Sequence, residues 1–318
     1  MIDEIKELIN NSENIAIFFH VSPDGDAIGS GLALGLALKK LGKNVTVFSQ
    51  DEVEERLNYL PIEEICYDVV STSFDLAFVV DCGDIRRIGT MENVLLNAKN
   101  VINIDHHLNN THFADFLIED TKASSTCELV YKFISDLNIE FTKEIKLCLY
   151  TGIATDTGCF MYNINEKTHL IANKLMENMC DEIAKLNYYL FRETEFGEIK
   201  LLGEAINKLE TYYNDQFAIT DMTTKDLEKH NAKMEYTSSV VYLLSGLKDY
   251  KVVCVMCEEG RGAFKVSFRS NRYDVCALAK SFGGGGHKFA AGCKIYGSRN
   301  TVKKIILQRA KEFLCTEF

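Results

Sequence analysis

Long apolar runs, an excess of positive charge and the cysteine spacing of a disulfide scaffold are all absent from this sequence of 318 residues. The longest apolar runs are far shorter than the ~20 residues that cross a bilayer, so no transmembrane helix is expected. A net charge of −11 argues against a general duplex-DNA binder, which needs a broad basic face. The 11 cysteines are scattered, and the acidic N-terminus is unlike a signal peptide. These features predict a reduced, cytoplasmic protein.

Proline is also scarce, and low-complexity tracts are missing from a chain that is long enough for two ordinary domains. Hydrophobic residues make up 47% of the chain, which predicts a sizeable core. A long amphipathic helix predicted at 193–209 is our candidate for the connection between the domains. The expected boundaries are a first domain at 1–190, a linker helix at 191–212 and a second domain at 213–318.

Three apolar runs in the first domain end abruptly in acidic or imidazole side chains. The runs are followed by His20-Val21-Ser22-Pro23-Asp24-Gly25-Asp26, by Asp81 and by Asp105-His106-His107. Helical stretches separate the runs, an alternation typical of a parallel sheet whose sites lie beyond the carboxyl ends of its strands. We therefore predict an α/β protein, with a Rossmann-like parallel sheet in the first domain and a smaller α/β domain with a mixed sheet after it.

A fourth polar segment, Thr155-Asp156-Thr157-Gly158, follows a predicted helix. Several carboxylates with two or three imidazoles and no thiolate suit Mn²⁺ better than zinc. Converging aspartates repel one another, and two divalent cations that share Asp81 or a water would remove this repulsion and activate water for attack on a phosphate. A single aspartate at a strand end is more often only a helix N-cap, so the metal hypothesis depends on the convergence of all four segments.

The adjacent residues His106 and His107 are predicted to have different functions. Neighbouring side chains on an extended segment point to opposite faces, so one ring could bind metal while the other faces a substrate. A solvated polar turn after a strand is the alternative. Near the C-terminus, the run Gly283–Gly286 before His287 offers backbone N–H groups to an anion, with a flexible turn as the alternative.

The four polar segments match, in order, the four motifs of the DHH phosphoesterases, and the chain resembles that family. The segment Phe268-Arg269-Ser270 and the later Gly283-Gly284-Gly285-Gly286-His287 are similar to the DHH-associated C-terminal domain. The resemblance extends over nearly the whole chain. It is greatest to the branch that degrades oligoribonucleotides and dephosphorylates 3′,5′-bisphosphonucleotides.

The resemblance implies two Mn²⁺ ions, with Mg²⁺ or Co²⁺ as candidate substitutes. One ion would be held by His20, Asp24 and Asp81, and the other by Asp26, Asp81, His106 and Asp156. His107 would face the scissile phosphate, and Asp105 would orient an imidazole. The far end of the substrate would be held by Arg269, Ser270, Gly283, Gly284, Gly285, Gly286 and His287. Cys159 occupies a position at which the family often has an arginine. The contact with a phosphate or base that this arginine would make is therefore in question.

The expected function is that of a Mn²⁺-dependent phosphodiesterase and phosphatase for very short single-stranded RNA and bisphosphonucleotides such as pAp, in a cleft between the domains. A phosphodiesterase for cyclic dinucleotides or their linear products shares all the motifs. A family II pyrophosphatase lacks the C-terminal ones, and a long-strand exonuclease would need a further domain. A non-catalytic RNA-binding module has no need for six converging metal ligands. The sequence leaves the substrate rank order and the oligomeric state open, a homodimer included.

Overall fold

The computed structural model describes residues 1–69, 73–260 and 262–316, without the side chains of His287 and Thr316. The chain divides into two compact units, Met1–Glu193 and Thr194–Phe318. Within the described ranges, no helix combines the length and the apolarity that a membrane span requires.

The first unit contains a six-stranded sheet. Its strands are β1 (Asn14–Phe18), β2 (Asn44–Phe48), β3 (Ile65–Cys66), β4 (Leu76–Val80), β5 (Val101–Asp105) and β6 (Phe116–Glu119). Its α-helices are α1 (Ile2–Asn11), α2 (Gly25–Lys40), α3 (Glu92–Leu95), α4 (Thr126–Asp136), α5 (Lys143–Asp156), α6 (Glu166–Met176) and α7 (Cys180–Phe191). Short 3-10 helices lie at Glu55–Leu57, Ile62–Glu64 and Ile85–Met91.

All six strands of this sheet run parallel, in the order β3-β2-β1-β4-β5-β6. The predicted parallel sheet is therefore confirmed. The chain first adds strands on one side of β1 and then returns to add β4 on the other side, so the strand order reverses between β1 and β4. In open α/β sheets, ligands bind beyond the carboxyl ends of the strands at such a reversal. His20 follows β1 and Asp81 follows β4, so both lie at this point.

The strand β1 is apolar on both sides because both faces of the sheet are covered there. Along β1, Ile15 and Ile17 belong to a core shared with α2, α4 and α5. Phe18 belongs to a second core on the opposite face, where it stacks on Phe48 with ring centroids 5.1 Å apart. This burial on two sides fixes the strand and therefore the position of His20, which lies just beyond it.

The second unit contains a mixed sheet, as predicted. Its strands are β7 (Glu210–Tyr212), β8 (Phe217–Met222), β9 (Val252–Gly260), β10 (Ala263–Arg269), β11 (Gly285–His287) and β12 (Ala290–Tyr296). Their order is β11-β12-β10-β9-β8-β7, in which only the β8–β9 pair is parallel. The helices are α8 (Phe196–Asn207), α9 (Thr224–His230), α10 (Thr237–Ser245), α11 (Val275–Lys280) and α12 (Arg299–Thr316), with a 3-10 turn at Met234–Tyr236.

The helix expected to link the domains is α8, and it lies in the second unit, where it contacts β8, α9 and α10. Leu201 and Ala205 of this helix are fully buried in a core with Val253 and Val255 of β9. The helix is thus part of the packed second unit.

Candidate metal centre and active site

The loops after β1 and β4 bring the first group of predicted ligands together. The Nε2 atom of His20 lies 3.5 Å from Asp81 Oδ2 and 3.8 Å from Asp24 Oδ2. Asp24 is also the N-cap of α2, because its Oδ1 accepts hydrogen bonds from the backbone N–H groups of Asp26 and Ala27 at 3.0 and 3.1 Å. One oxygen of Asp24 caps the helix and the other faces His20, so the capping and metal-binding interpretations are compatible.

The second group of predicted ligands surrounds His106. Its Nε2 atom lies 3.3 Å from Asp156 Oδ2 and 4.0 Å from Asp26 Oδ2. Asp26 lies in the first turn of α2, and Asp156 is the last residue of α5. The two helix ends can approach because Gly25 has no side chain: a Cβ atom there would lie 2.5 Å from Thr155 Oγ1.

Asp81 connects the two groups. Its Oδ2 faces His20, whereas its Oδ1 lies 3.7 Å from His106 Nε2. The carboxylate is buried, and the backbone of Asp81 has a φ of +53°, a left-handed conformation that a residue with a side chain rarely adopts. Such strain is typical of functional sites. The position of this carboxylate allows it to serve as a ligand shared by two cations.

The histidine rings are oriented as metal ligands require. His20 donates from Nδ1 to the carbonyl oxygen of Val21 at 2.8 Å, and His106 donates from Nδ1 to that of Ala123 at 3.3 Å. An imidazole that donates through Nδ1 keeps the lone pair of Nε2 for a metal. In both rings Nε2 points toward carboxylates, and this set of oxygen and imidazole ligands fits Mn²⁺.

Two carboxylates of the cluster, Asp26 and Asp156, are poorly tolerated as anions without a cation. Burial raises the pKa of Asp156 to about 8, and the charges of Asp81 and Asp24 add to this effect. Burial, together with the charge of Asp81, also raises the pKa of Asp26 well above its usual range. The helix dipole further disfavours a carboxylate at the C-terminal residue of α5. A bound divalent cation would offset this repulsion.

His107 has a different environment from His106. Its Nδ1 donates to Asp105 Oδ1 at 2.7 Å, and this hydrogen bond raises the pKa of His107 to about 9. Asp105 is fully buried, and its Oδ2 accepts a hydrogen bond of 2.8 Å from Asn110 Nδ2, which also bonds Asn103 Oδ1 at 2.7 Å. The ring of His107 is therefore held by a buried polar network.

The expectation that His106 and His107 point to opposite faces is wrong. Their ring centroids are 4.9 Å apart, and His107 Nδ1 lies 3.7 Å from Asp81 Oδ1. The alternation rule fails because β5 ends at Asp105, so neither histidine lies on a strand. Asp81, His106 and His107 even form a third group whose possible ligand atoms lie within 4.8 Å of one another. The rings differ in the partners of their Nδ1 atoms.

Sequence reasoning missed the N-terminus of α4. The carboxylate of Asp26 accepts one hydrogen bond from the backbone N–H of Thr126 at 2.6 Å and another from that of Cys127 at 2.9 Å. The hydroxyl of Thr126 donates to Asp81 Oδ1 at 2.9 Å. The residues Ser124-Ser125-Thr126 before an apolar stretch are a recognisable helix start, but nothing in them identifies partners so distant in sequence.

Arg87 was also missed. It lies in the 3-10 helix after Asp81, and its carbonyl oxygen accepts a hydrogen bond of 2.7 Å from the backbone N–H of Val21, next to His20. Its side chain is exposed, and its positive charge slightly offsets the increase in the pKa of His107. Within the described ranges it forms no ion pair, whereas the adjacent Arg86 is paired with Asp84.

The predicted substrate-binding residues lie in the second unit. Arg269 is the last residue of β10 and is half-buried, with its Nη1 donating to the carbonyl oxygen of Phe268 at 2.9 Å. The hydroxyl of Ser270 donates to the carbonyl oxygen of Lys251 at 2.6 Å and accepts from the backbone N–H of Tyr273 at 2.9 Å. Ser270 therefore has a structural function in the turn that follows β10.

The glycine run differs from the expected loop. Gly285 and Gly286 belong to β11, an edge strand that pairs with β12, so only Gly283 and Gly284 precede it as a loop. A Cβ atom at Gly284 would lie 2.2 Å from the carbonyl oxygen of Gly292, so close contact with β12 requires glycine there. The predicted side-chain function of His287 lies outside what the structure describes.

Comparison with known proteins gives matches along most of the chain. The model of the DHH family, N-terminal domain, matches residues 14–153, and that of the DHHA1 domain matches residues 214–315. The chain is similar to the probable bifunctional oligoribonuclease and PAP phosphatase NrnA of Streptococcus mutans, with 30% identity over 290 residues that cover 89% of this chain and 90% of that protein. The Thermus thermophilus bifunctional oligoribonuclease and PAP phosphatase NrnA is 32% identical over 287 residues, covering 89% of this chain and 84% of that one. The crystal structure of an exopolyphosphatase-related protein from Bacteroides fragilis has a TM-score of 0.90 and 27% identity, covering 98% of this chain and 96% of that one.

Proposed function

The chain belongs to the DHH family of phosphoesterases, and on that basis we propose that it is a two-cation, Mn²⁺-dependent hydrolase that degrades very short RNA and dephosphorylates bisphosphonucleotides such as pAp. The substrate classes follow the names of its relatives, oligoribonuclease and PAP phosphatase. The observation that carries the proposal is the position of Asp81, whose two oxygens face His20 and His106. A shared carboxylate of this kind is what a pair of catalytic cations needs.

The two cations would be held by the residues predicted from the sequence. His20, Asp24 and Asp81 would hold one, and Asp26, Asp81, His106 and Asp156 would hold the other. When bound, such cations lower the pKa of water and neutralise charge on phosphoryl oxygens. Because only the phosphate needs to reach the cations, a single centre can accept both an internal phosphodiester and a terminal phosphate.

His107 would act on the phosphate or its leaving group. Its Nδ1 is committed to Asp105, so Nε2 is the atom left to donate a hydrogen bond or a proton to a substrate oxygen. The raised pKa of His107, about 9, favours the protonated ring that this function requires. Asp105 does not act on the substrate itself and would fix the orientation of the ring.

Arg87 would supply a fixed positive charge for the substrate phosphate. A guanidinium group binds two phosphate oxygens at once, and Arg87 is exposed in the 3-10 helix that follows Asp81. Cys159 cannot supply that charge, because a thiol is either neutral or negatively charged. In the second unit, Arg269 and the segment Gly283–His287 would hold the part of the substrate that does not react. We also propose a cytoplasmic location, since all 11 cysteines are free thiols.

A substrate panel tests the proposed function. Purified full-length protein with Mn²⁺ is assayed on RNA dinucleotides, longer RNA, pAp, cyclic dinucleotides, linear pGpG and pyrophosphate, with Asp81→Ala as the inactive control. We expect the highest kcat/KM values for dinucleotides and pAp, and a loss of several orders of magnitude in Asp81→Ala. Turnover of cyclic dinucleotides or pyrophosphate alone, or equal turnover by Asp81→Ala, would contradict the proposal.

A further inference from the structure

Thr126 contacts ligands of both proposed cation sites. Its backbone N–H donates to Asp26 Oδ2 at 2.6 Å, and its hydroxyl donates to Asp81 Oδ1 at 2.9 Å. The residue is fully buried, with 0% of its surface exposed, so water does not compete for these hydrogen bonds. Asp26 belongs to the site around His106, whereas Asp81 faces both histidines. One small residue therefore fixes two carboxylates relative to each other.

The segment that carries Thr126 also holds a third ligand. The carbonyl oxygen of Ala123 accepts the hydrogen bond from His106 Nδ1 at 3.3 Å, and the backbone N–H of Cys127 bonds Asp26 Oδ1 at 2.9 Å. We call residues 123–127 the ligand clamp. With both of its oxygens bonded to the clamp, Asp26 has little freedom to rotate.

The buried Glu128 forms hydrogen bonds with Ser124 of the ligand clamp and so holds the clamp in place. The Oε2 atom of Glu128 accepts hydrogen bonds from the backbone N–H and the hydroxyl of Ser124, at 3.1 and 2.8 Å, and from Thr168 Oγ1 at 3.1 Å. Thr168 lies in α6, so the clamp is tied to a second helix. Its position is therefore set by the packing of the domain.

We propose that Thr126 is a positioning residue that couples the binding of the two cations, an inference that rests on the two-cation centre proposed above. Asp81 lies 3.5 Å from His20 Nε2 and 3.7 Å from His106 Nε2, so a small rotation would turn it toward one site at the expense of the other. The hydroxyl of Thr126 holds Asp81 Oδ1 on the side of the second site. Without it, the first cation would draw Asp81 toward His20, and the second cation would lose its shared ligand.

Mn²⁺ titration of the metal-free, full-length protein tests this coupling. The variants are Thr126→Val, which keeps the shape and loses the hydroxyl, Thr126→Ala, which also loses it without β-branching, and Thr126→Ser, which keeps it. Calorimetry gives the affinity of each site, and electron paramagnetic resonance detects the spin-coupled Mn²⁺ pair. We expect Val and Ala to bind the first ion as wild type does and the second about 10–100-fold more weakly, and Ser to restore the second site.

Thr220→Val is the matched control. Thr220 is also a buried threonine whose hydroxyl donates one hydrogen bond, to the carbonyl oxygen of Ala205 at 2.6 Å, but it lies in the second unit and its partner is not a predicted ligand. This variant should lose stability without any change in Mn²⁺ binding. Two ions bound by Thr126→Val with wild-type affinity, or a Ser variant as weak as Val, would overturn the inference alone. A wild-type protein that binds fewer than two ions would overturn both this inference and the proposed function.

Discussion

Asp105 and His107 form a hydrogen bond of 2.7 Å in which a fully buried carboxylate holds a partly exposed ring. The carboxylate receives a second hydrogen bond from Asn110, so its own orientation is fixed from the interior of the domain. The consequence is a ring with one committed nitrogen and one available nitrogen. His106, only one residue earlier, has its Nδ1 on a backbone carbonyl and its Nε2 among carboxylates.

Substitution of the two histidines should separate their functions. His107→Ala should keep its Mn²⁺ affinity and lose about 10²–10⁴-fold in kcat, the scale of lost general acid catalysis. His106→Ala should instead weaken Mn²⁺ binding, because its Nε2 lies among three carboxylates. Mn²⁺ titration and kcat at saturating Mn²⁺ measure the two effects. If His107→Ala weakens Mn²⁺ binding more than His106→Ala does, the two assignments are reversed.

The metal-free protein should lose thermal stability as the pH rises. The pKa of Asp156 is raised from 3.8 to about 8 in the folded state, and that of Asp26 is also raised. Between pH 3.8 and about pH 8, Asp156 carries more protons in the folded state than in the unfolded state. The free energy of unfolding therefore falls as the pH rises through this range. The pKa of His107, raised from 6.5 to about 9, acts in the same direction between those two values. The lowered pKa of Asp81 has its effect below 3.8, outside this range.

Melting temperatures of chelator-treated protein at about pH 5 and about pH 8 measure this dependence. Added Mn²⁺ should raise the Tm more at the higher pH, because the cation binds the deprotonated carboxylates. The control is Asp156→Asn, which removes one of the titrating groups and should show a smaller fall. A metal-free Tm that rises over this interval would show that the carboxylates are not held as described.

The sequence was sufficient to predict which carboxylate and imidazole side chains lie close together, because each of them stands at a recognisable boundary. His20 and Asp81 come directly after apolar runs, and the carboxyl ends of parallel strands meet at one edge of a sheet. Asp156 is the last residue of a helix that the sequence predicts. In such cases local pattern and overall topology agree, so the approximate position of each side chain follows from its place in the sequence.

Other features could not be predicted, since they depend on contacts between distant segments. The hydrogen bond from Thr126 to Asp26 joins residues 100 positions apart. Arg87 has no motif of its own, and only its hydrogen bond to Val21 places it beside the first loop. The sequence predicts a loop in place of β11 because two of the three residues of this strand are glycines, which have low strand propensity, and its pairing depends on β12.

Neutralisation of Arg87 should weaken substrate binding, and Arg86 provides the comparison. Arg87→Gln should lose about 10–100-fold in kcat/KM for dinucleotides and pAp, the scale of one charge-assisted hydrogen bond, mostly through KM. Arg86→Gln should change little, because Arg86 is exposed and paired with Asp84. Steady-state kinetics at saturating Mn²⁺ compare the variants. If kcat/KM fell equally in Arg87→Gln and Arg86→Gln, positive charge on this segment would have a general effect, and Arg87 would make no specific contact with phosphate.

Arg269→Ala should distinguish substrate selection from catalysis. Arg269 lies in the second unit and is not one of the predicted metal ligands, so it should not be needed to activate water. We expect a loss of about 2–4 kcal/mol in kcat/KM for short RNA, the scale of losing a charged hydrogen-bond partner, with part of the loss in kcat because remote binding energy is used in the transition state. A small generic phosphodiester should be hydrolysed almost as fast as by wild type.

The matched control for Arg269 is Arg272→Ala. Arg272 is an exposed arginine only three residues away, in the turn organised by Ser270, so its loss removes the same charge from the same region. Its kinetics on both substrates should stay near wild type, and the circular dichroism and Mn²⁺ content of both variants should be unchanged. If Arg269→Ala lowered kcat/KM equally for short RNA and for the generic phosphodiester, the residue would support the fold or the metal centre. A decrease in kcat/KM for short RNA alone would indicate that Arg269 binds the part of the substrate that does not react.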